Sequence, residues 1–164
     1  MSEPTKINDS NFISELIEKY TNTLIRISTS YMKNMSDAQD VTQDAFLQLI
    51  RKNPSFVSDS HEKAWLIRVT INLCKNRLKT AWFRKTLPLC EAGFNFTEEE
   101  SEVMGAVMEL PVKYRSIIHL FYYEDYSIAE IAAILSKKES TIGSQLHRAR
   151  NLLKLKLKEG FCDE

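Results

Sequence analysis

The sequence predicts an all-α fold made of two small helical domains joined by a flexible acidic linker. Apolar residues recur at the three- and four-residue spacing of a helix along most of the 164 residues. Glycine and proline number only four each, which argues against a turn-rich sandwich or barrel. The expected domains cover residues 10–86 and 102–160, with the linker at 87–101.

The first domain is expected to open with two helices. Apolar residues follow helical spacing over residues 12–33, which predicts the first of them. The stretch SDAQ then fits a capping box, in which the Ser36 side chain accepts from first-turn amides and Gln39 reaches back to the Ser36 amide. The second helix is expected to run from this box to about Lys52.

A turn at Pro54 precedes a long third helix, expected over 61–85, because the residue before a proline avoids the helical region. On a helical wheel one stripe of this helix is polar and cationic, within about 60°: Arg68, Asn72, Lys75 and Lys79. The apolar face is expected to contain Leu66, Val69 and Leu73, widened by Ile67, Ile71 and Leu78. The stripe is either a solvated helix face or a nucleic-acid surface.

The nucleic-acid interpretation of the third helix rests on what its residue types can do. Cations neutralise phosphates, and an asparagine such as Asn72 can read a base edge. Trp65 lies at the edge of the polar stripe, where an aromatic ring can stack on an unpaired base.

Charged residues are segregated along the chain although the net charge is zero. Residues 61–86 and residues 137–158 each hold seven Lys or Arg and a single acid. Between them, residues 91–109 hold six acids and no base. A merely solvated surface would mix the two signs. Two basic blocks around an acidic spacer therefore indicate two contacts with a polyanion.

The second domain is expected to contain a helix-turn-helix. Pro111 opens one helix, and Ser127 with Glu130 forms a capping box for the next. A last helix from about Glu139 places small polar residues opposite its apolar stripe, a pattern suited to the DNA major groove. Basic residues follow and suit the phosphate backbone. A plain helical hairpin within a packed bundle is the alternative.

Other classes of function have little support in the sequence. No CxxC pair occurs among Cys74, Cys90 and Cys162, and the three histidines keep no metal-ligand spacing with them. Reduced thiols, no metal and no cofactor are therefore expected. No apolar run is long enough to cross a membrane, and the polar start MSEPTKINDS does not fit a signal peptide, so a cytoplasmic location is expected. No enzyme activity is expected, because there is no phosphate-binding glycine loop and no clustered His/Cys pair.

Three motifs, in order along the chain, resemble the extracytoplasmic-function (ECF, group four) sigma factors of bacterial RNA polymerase. SDAQDVTQDAFLQLIRK is similar to the segment of sigma region two that binds core polymerase. KAWLIRVTINLCKNRLKTAWFRK is similar to the helix that melts and reads the minus-ten element. LPVKYRSIIHLFYYEDYSIAEIAAIL followed by TIGSQLHRARNLLK is similar to region four, which reads the minus-thirty-five element. The resemblance covers residues 10–158.

The resemblance implies that the chain binds core RNA polymerase and promoter DNA, promotes strand opening and meets an anti-sigma factor. The polymerase-binding residues would be Asp37, Asp40, Gln43, Asp44, Phe46 and Leu47. The minus-ten residues would be Trp65, Arg68, Asn72, Lys75, Asn76 and Lys79. One base would be flipped out near the loop before Trp65. The minus-thirty-five residues would be Ser140, Thr141, Ser144, Gln145, Arg148 and Arg150.

The chain departs from the family pattern near the helix-turn-helix. Ser136 stands where the family usually has Gly, Lys138 where it has a capping Ser, Gly143 where it has Lys, and Gln145 where Arg is frequent. Gly143 within a helix should cost about 1 kcal/mol relative to Ala. Ser136 and Glu139 could form a capping box of their own, which would start the last helix earlier.

Two alternatives remain open at the level of the residues. The acids at 37–44 could be no more than a capped first turn favoured by the helix dipole. The protein could also be a stand-alone helix-turn-helix regulator that binds duplex DNA without polymerase. That function would leave two features unexplained: the cationic third helix with Trp65 at its edge, and the acids at 37–44.

Overall fold

The computed structural model describes the backbone of residues 10–84 and 98–162 and the side chains of 11–80 and 102–158. Within these residues the chain forms seven α-helices and one short π-helical segment, and no strand. The predicted all-α fold is therefore confirmed. The chain divides into two compact units near residue 92. None of the helices in the described ranges is long and apolar enough to cross a membrane.

Three helices form the first unit: α1 (Ser10–Met32), α2 (Met35–Lys52) and α3 (Asp59–Arg84). Each of them packs against the other two. Their shared core holds fully buried side chains from every helix: Leu24 and Ile27 from α1, Leu49 from α2, and Leu66, Ile67 and Ile71 from α3. Burial of this much apolar surface is the main source of the unit's stability.

The turn between α1 and α2 differs from the prediction. Lys33 adopts a left-handed backbone with φ 63°, and Asn34 follows in an extended conformation. The Asn34 side-chain oxygen accepts from the Asp37 N–H at 2.8 Å, so Asn34 is the N-cap and α2 begins at Met35. The predicted capping box of Ser36 and Gln39 is wrong, because Asn34 already caps the helix.

The buried face of α3 is also shifted from the predicted one. Leu66, Ile67 and Ile71 are buried, together with Thr70 and Cys74, which the wheel had not assigned to the core. Val69, Leu73 and Leu78 are only half-buried. Thr70 and Cys74 lie three residues after Ile67 and Ile71, respectively, and so share their side of the helix, which centres the buried face on these four residues.

Four helices form the second unit: α4 (Glu98–Glu109), α5 (Val112–Ile118), α6 (Ile128–Leu135) and α7 (Glu139–Cys162). A π-helical segment, His119–Tyr123, continues directly from α5. Because α4 begins at Glu98, the last residues of the predicted linker, 98–101, are helical. The rest of that predicted linker, up to residue 97, lies outside the described residues.

The helix-turn-helix is formed by α6 and α7. Both hydrogen bonds of the predicted capping box at Ser127 and Glu130 are present, at 3.1 Å each. Ser136 ends α6 in a left-handed conformation with φ 54°. The alternative capping box from Ser136 to Glu139 is therefore wrong, since a residue that terminates α6 in this conformation cannot also be an extended N-cap of α7.

Candidate functional site

The outward face of α2 combines carboxylates with exposed apolar side chains. Asp40, Gln43 and Leu47 are exposed, and Asp37 and Asp44 are half-buried. Leu47 has 46% of its surface exposed. Phe46 is buried, so it contributes to the core beneath this face and not to the surface. The acids of this face are not confined to the first turn, since Asp40 and Asp44 lie one and two turns further along.

Arg77 of α3 spans the three carboxylates of α2. Its Nη1 lies 3.8 Å from Asp37 Oδ1 and 3.7 Å from Asp40 Oδ2, and its Nη2 lies 3.3 Å from Asp44 Oδ2. The Asp44 contact also meets hydrogen-bond geometry. Asp37 Oδ2 in turn accepts from the Asn34 side-chain amide at 2.7 Å. We call Asp37, Asp40 and Asp44 the acid face.

A polar stripe runs along the exposed side of α3. Arg68, Asn72, Asn76 and Lys79 are exposed and Lys75 is half-buried. Arg77 lies roughly 180° from Arg68 on the same helix, given 100° per residue. The two sides of α3 therefore do different things. One presents cations and amides to solvent, and the other holds the acid face of α2.

Trp65 belongs to a cluster of aromatic rings at the start of α3. Phe56, from the loop between α2 and α3, packs edge-on against His61 at 5.4 Å and against Trp65 at 5.8 Å. The Val57 N–H donates to His61 Nδ1 at 3.3 Å, which ties the loop to the helix. Trp65 is thereby half-buried at the edge of the polar stripe and keeps part of its ring accessible.

The N-terminal half of α7 presents an open polar face. Ile142, Leu146 and Ala149 are buried, while Ser140, Ser144 and Arg148 are exposed. Thr141 and Gln145 are half-buried between these two sets. The Gln145 Oε1 atom is itself buried, without a hydrogen-bond partner. Among the described residues, the exposed side chains of this polar face make no internal hydrogen bond or ion pair. The face is therefore available to an external ligand.

Arg150 differs from the other predicted residues of α7. Its Nε donates to the Tyr122 hydroxyl at 2.6 Å, and its guanidinium lies 5.2 Å from the Phe121 ring centroid. It lies roughly 180° from Thr141 around the helix. Arg150 thus joins α7 to the π-helical segment, and the structure does not bring it onto the face of Ser144 and Arg148.

Sequence reasoning did not identify three residues near these sites. Ile50 is exposed on α2 beside Leu47, and its spacing of three from Leu47 was a usable signal. Phe56 carried no periodic signal, because it lies in a loop. The contact of Arg77 with the acid face requires the packing of α3 on α2, which no local pattern contains. Within the described ranges, no group of three or more His, Cys, Asp or Glu side chains is arranged to hold a metal ion.

The chain matches known protein families over most of its length. Residues 16–84 match the model of sigma-70 region 2, and residues 100–153 match that of sigma-70 region 4. The chain is 32% identical over 142 residues to the ECF RNA polymerase sigma factor SigM of Mycobacterium tuberculosis, covering 83% of this chain and 72% of that protein. It is 24% identical over 179 residues to SigW of Bacillus subtilis, covering 94% and 93%.

Solved structures share the fold. One is the sigma factor RpoE of Bartonella quintana, crystallised with the anti-sigma factor NepR. The alignment covers 92% of this chain and 98% of the RpoE chain, with a TM-score of 0.74 and 23% identity. CnrH, in complex with the cytosolic domain of CnrY, matches 93% of this chain and 91% of its own with a TM-score of 0.69 and 22% identity. With sigma-70 regions 2 and 4 on its two units, the chain belongs to the ECF RNA polymerase sigma factors, which act in transcription initiation and are not enzymes.

Proposed function

We propose that the chain assembles with core RNA polymerase through α2, opens the minus-ten element with α3 and reads the minus-thirty-five element with α7. The open polar face of α7 carries this proposal. A helix that leaves small polar side chains and an arginine without internal partners can place them against base edges and phosphates in the major groove. We place the domains as region two over 10–86 and region four over 102–160.

On α2, the acid face with Gln43 and Leu47 is the proposed polymerase-binding surface. Carboxylates beside an exposed leucine suit a basic partner that also buries apolar area, as protein interfaces combine a polar rim with apolar anchors. Phe46 supports this surface from the core. The exposed Ile50 extends the apolar part of the surface.

On α3, the proposed minus-ten residues are those of the polar stripe together with Trp65. The cationic residues neutralise phosphates of the separated strand, and the accessible part of the Trp65 ring stacks on a base. A flipped base of the non-template strand is proposed to lie near the Phe56 loop. On α7, Ser140, Thr141, Ser144, Gln145 and Arg148 are the proposed minus-thirty-five residues, and Arg150 contributes by holding α7 against Tyr122.

An anti-sigma factor is the proposed regulatory partner, because a sigma factor of similar fold, RpoE, has been co-crystallised with the anti-sigma factor NepR. A cytoplasmic location is proposed because the proposed partners, core polymerase and promoter DNA, are in the cytoplasm. No membrane insertion is proposed.

The test is reconstitution of the chain with bacterial core polymerase, followed by run-off transcription from a library of promoter fragments. Selective transcription from a subset of fragments is expected. Trp65→Ala should reduce permanganate reactivity of the minus-ten thymines more than it reduces binding to the closed duplex, since its ring acts on the unpaired base. Unchanged reactivity in this variant would exclude Trp65 from strand opening.

A further inference from the structure

The acid face is not fully available to a partner, because a cation of the same chain already contacts it. We propose that Arg77 is an internal counter-ion that limits the affinity of this face for basic groups of the polymerase. The inference rests on the proposed function of α2 as the polymerase-binding helix. It assigns to Arg77 a role in setting how tightly that helix binds.

The geometry shows a shared cation and not a single tight pair. Arg77 uses its two terminal nitrogens to reach one oxygen of each of the three carboxylates, at 3.3 to 3.8 Å. Three carboxylates and one guanidinium leave a net charge of −2, where the carboxylates alone would give −3. A basic partner therefore meets a weaker field than the α2 sequence suggests.

The three carboxylates are not equally committed to internal contacts. Asp37 engages both of its oxygens, one with Arg77 and one with the Asn34 amide, and its side chain is 32% exposed. Asp40 and Asp44 each use one oxygen toward Arg77 and are 56% and 45% exposed. Asp40 and Asp44 are therefore the carboxylates that a partner meets, and Asp37 mainly anchors Arg77 to the start of α2.

If Arg77 instead held the three aspartates in position for the partner, its removal would weaken binding. The structure argues against this alternative. The three aspartates already share one side of α2 because they are spaced three and four residues apart on a helix. Their side chains are short, so little rotamer freedom is left for a cation to restrict. Two of the three contacts are long, at 3.8 and 3.7 Å, and all three are partly exposed, and such pairs contribute little to stability. Reduction of the negative field is the larger effect.

The test is the affinity of the full chain for core polymerase, measured across a salt series for Arg77→Gln and Arg77→Lys. Arg77→Gln should bind about three- to tenfold more tightly at low salt, because one repelling cation is removed from the interface. The gain should shrink as salt rises from about 0.05 to about 0.5 M, since screening weakens the field. Arg77→Lys should stay near the unmodified chain, because it keeps the charge.

Matched variants separate this effect from a general change of charge or of folding. Arg26→Gln removes the same charge from an exposed position on α1 and should leave the affinity unchanged within about twofold. Arg77→Met, which keeps the aliphatic stem, replaces Arg77→Gln if the latter loses helicity. Equal or weaker binding by a folded charge-removing variant would overturn the counter-ion role.

Asp40→Asn distinguishes failure of the inference from failure of the proposed function. If Asp40→Asn weakens polymerase binding while Arg77→Gln does not tighten it, the acid face binds polymerase and the counter-ion inference alone is wrong. If neither substitution changes binding, α2 is not the polymerase-binding helix, and both proposals fail together.

Discussion

The acid face of α2 and the polar face of α7 differ in whether other side chains of the same unit contact them. In the first unit, charges are tied together across helices: Arg77 spans the acid face, and Lys19 lies 3.8 Å from the buried Glu62, which also accepts from Tyr20. In the second unit, the N-terminal half of α7 leaves its polar face without internal partners. The first pattern offsets part of the negative charge of the acid face. The second leaves exposed polar side chains on α7 in contact with solvent, as the proposed binding to DNA requires.

The largest expected effect concerns two arginines of the second unit. Arg148→Ala should weaken holoenzyme binding to a selected promoter by about ten- to hundredfold at the upstream element, because it removes one proposed base or phosphate contact. It should change the free energy of unfolding by less than about 0.5 kcal/mol, since Arg148 is exposed. Fluorescence anisotropy on duplex DNA at fixed salt measures the first quantity.

Arg115→Ala is the counterpart of that variant within the same unit. Arg115 is buried and donates from Nη1 to the carbonyl oxygens of Met108 at 3.2 Å and Leu110 at 3.1 Å. Its loss leaves those carbonyls unpaired and should destabilise the unit by about 2 kcal/mol or more. Hydrogen exchange of α7 amides reads out this change. Equal loss of stability in Arg148→Ala would contradict the open-face interpretation.

The next effect compares one chemical change in the two units. Tyr20→Phe removes a buried hydroxyl that donates to Glu62 Oε1 at 2.7 Å, and should destabilise the first unit by about 1–3 kcal/mol. Tyr122→Phe removes a hydroxyl that accepts from Arg150 at 2.6 Å, yet Tyr122 is 50% exposed. Water replaces that bond, so less than about 0.5 kcal/mol is expected.

The two tyrosine variants need separate probes. Both tryptophans of the chain, Trp65 and Trp82, belong to the first unit, so their fluorescence in urea follows its unfolding. Hydrogen exchange of α6 and α7 follows the second. Equal destabilisation by the two substitutions would contradict the expected difference between the buried hydrogen bond of the first unit and the exposed one of the second.

Smaller effects are expected at two positions where the chain departs from its family. Ser136→Gly should stabilise the second unit by about 1 kcal/mol, because Ser136 adopts φ 54°, which glycine tolerates without strain. Gly143→Ala should raise the free energy of unfolding by about 1 kcal/mol, because alanine favours the helix over glycine and a Cβ there meets no atom within 4 Å. Ser140→Gly, within the first turn of α7, is the control and should destabilise. Hydrogen exchange of α7 measures all three.

The smallest expected effect on stability at neutral pH concerns Cys74 of the first unit. Burial raises the pKa of the Cys74 thiol from its ordinary 9.0 to about 12. With Cys90 and Cys162 replaced by serine, the native chain should therefore resist a thiol reagent at pH 8 and react only when unfolded. Rapid reaction of the native chain would show that the first unit opens easily around α3.

The same shift gives the first unit a stability that falls in alkali. Well below pH 9 the thiol is neutral in both the folded and the unfolded state, so it contributes no pH dependence. Above pH 9 the unfolded thiol ionises while the folded one stays neutral until about pH 12. By pH 10 the unfolding free energy should therefore fall by roughly 1 kcal/mol more than in Cys74→Ala. Parallel pH profiles of the two chains would contradict the burial effect.

Local features of the fold were predictable from the sequence and cross-helix features were not. The capping box at Ser127 and Glu130 was found because both partners lie within one turn. The box at Ser36 failed because Asn34 offered a competing cap after the left-handed turn at Lys33. Periodicity located the helices, but the buried face of α3 shifted toward Thr70 and Cys74, since packing decides which side of a helix is buried.

In the candidate sites, too, features within one helix were predictable from the sequence and contacts between helices were not. The exposed set of α7 followed from small polar residues opposite an apolar stripe, a pattern contained within one helix. The contact of Arg77 with the acid face and the contact of Arg150 with Tyr122 join residues 33 and 28 positions apart. Such contacts depend on how helices pack, and a single sequence does not specify that packing.

In the proposed function, α2 binds core polymerase and α7 binds DNA. The most direct test of this assignment measures the affinity of two variants for core polymerase side by side. Asp40→Asn combined with Asp44→Asn should lower this affinity by about tenfold or more, because it removes the charges proposed to face the polymerase. Arg148→Ala should stay within about twofold of the unmodified chain, because the proposed partner of its face is DNA. Unchanged binding by the double variant, or an equal loss in Arg148→Ala, would contradict the assignment of polymerase to α2 and of DNA to α7.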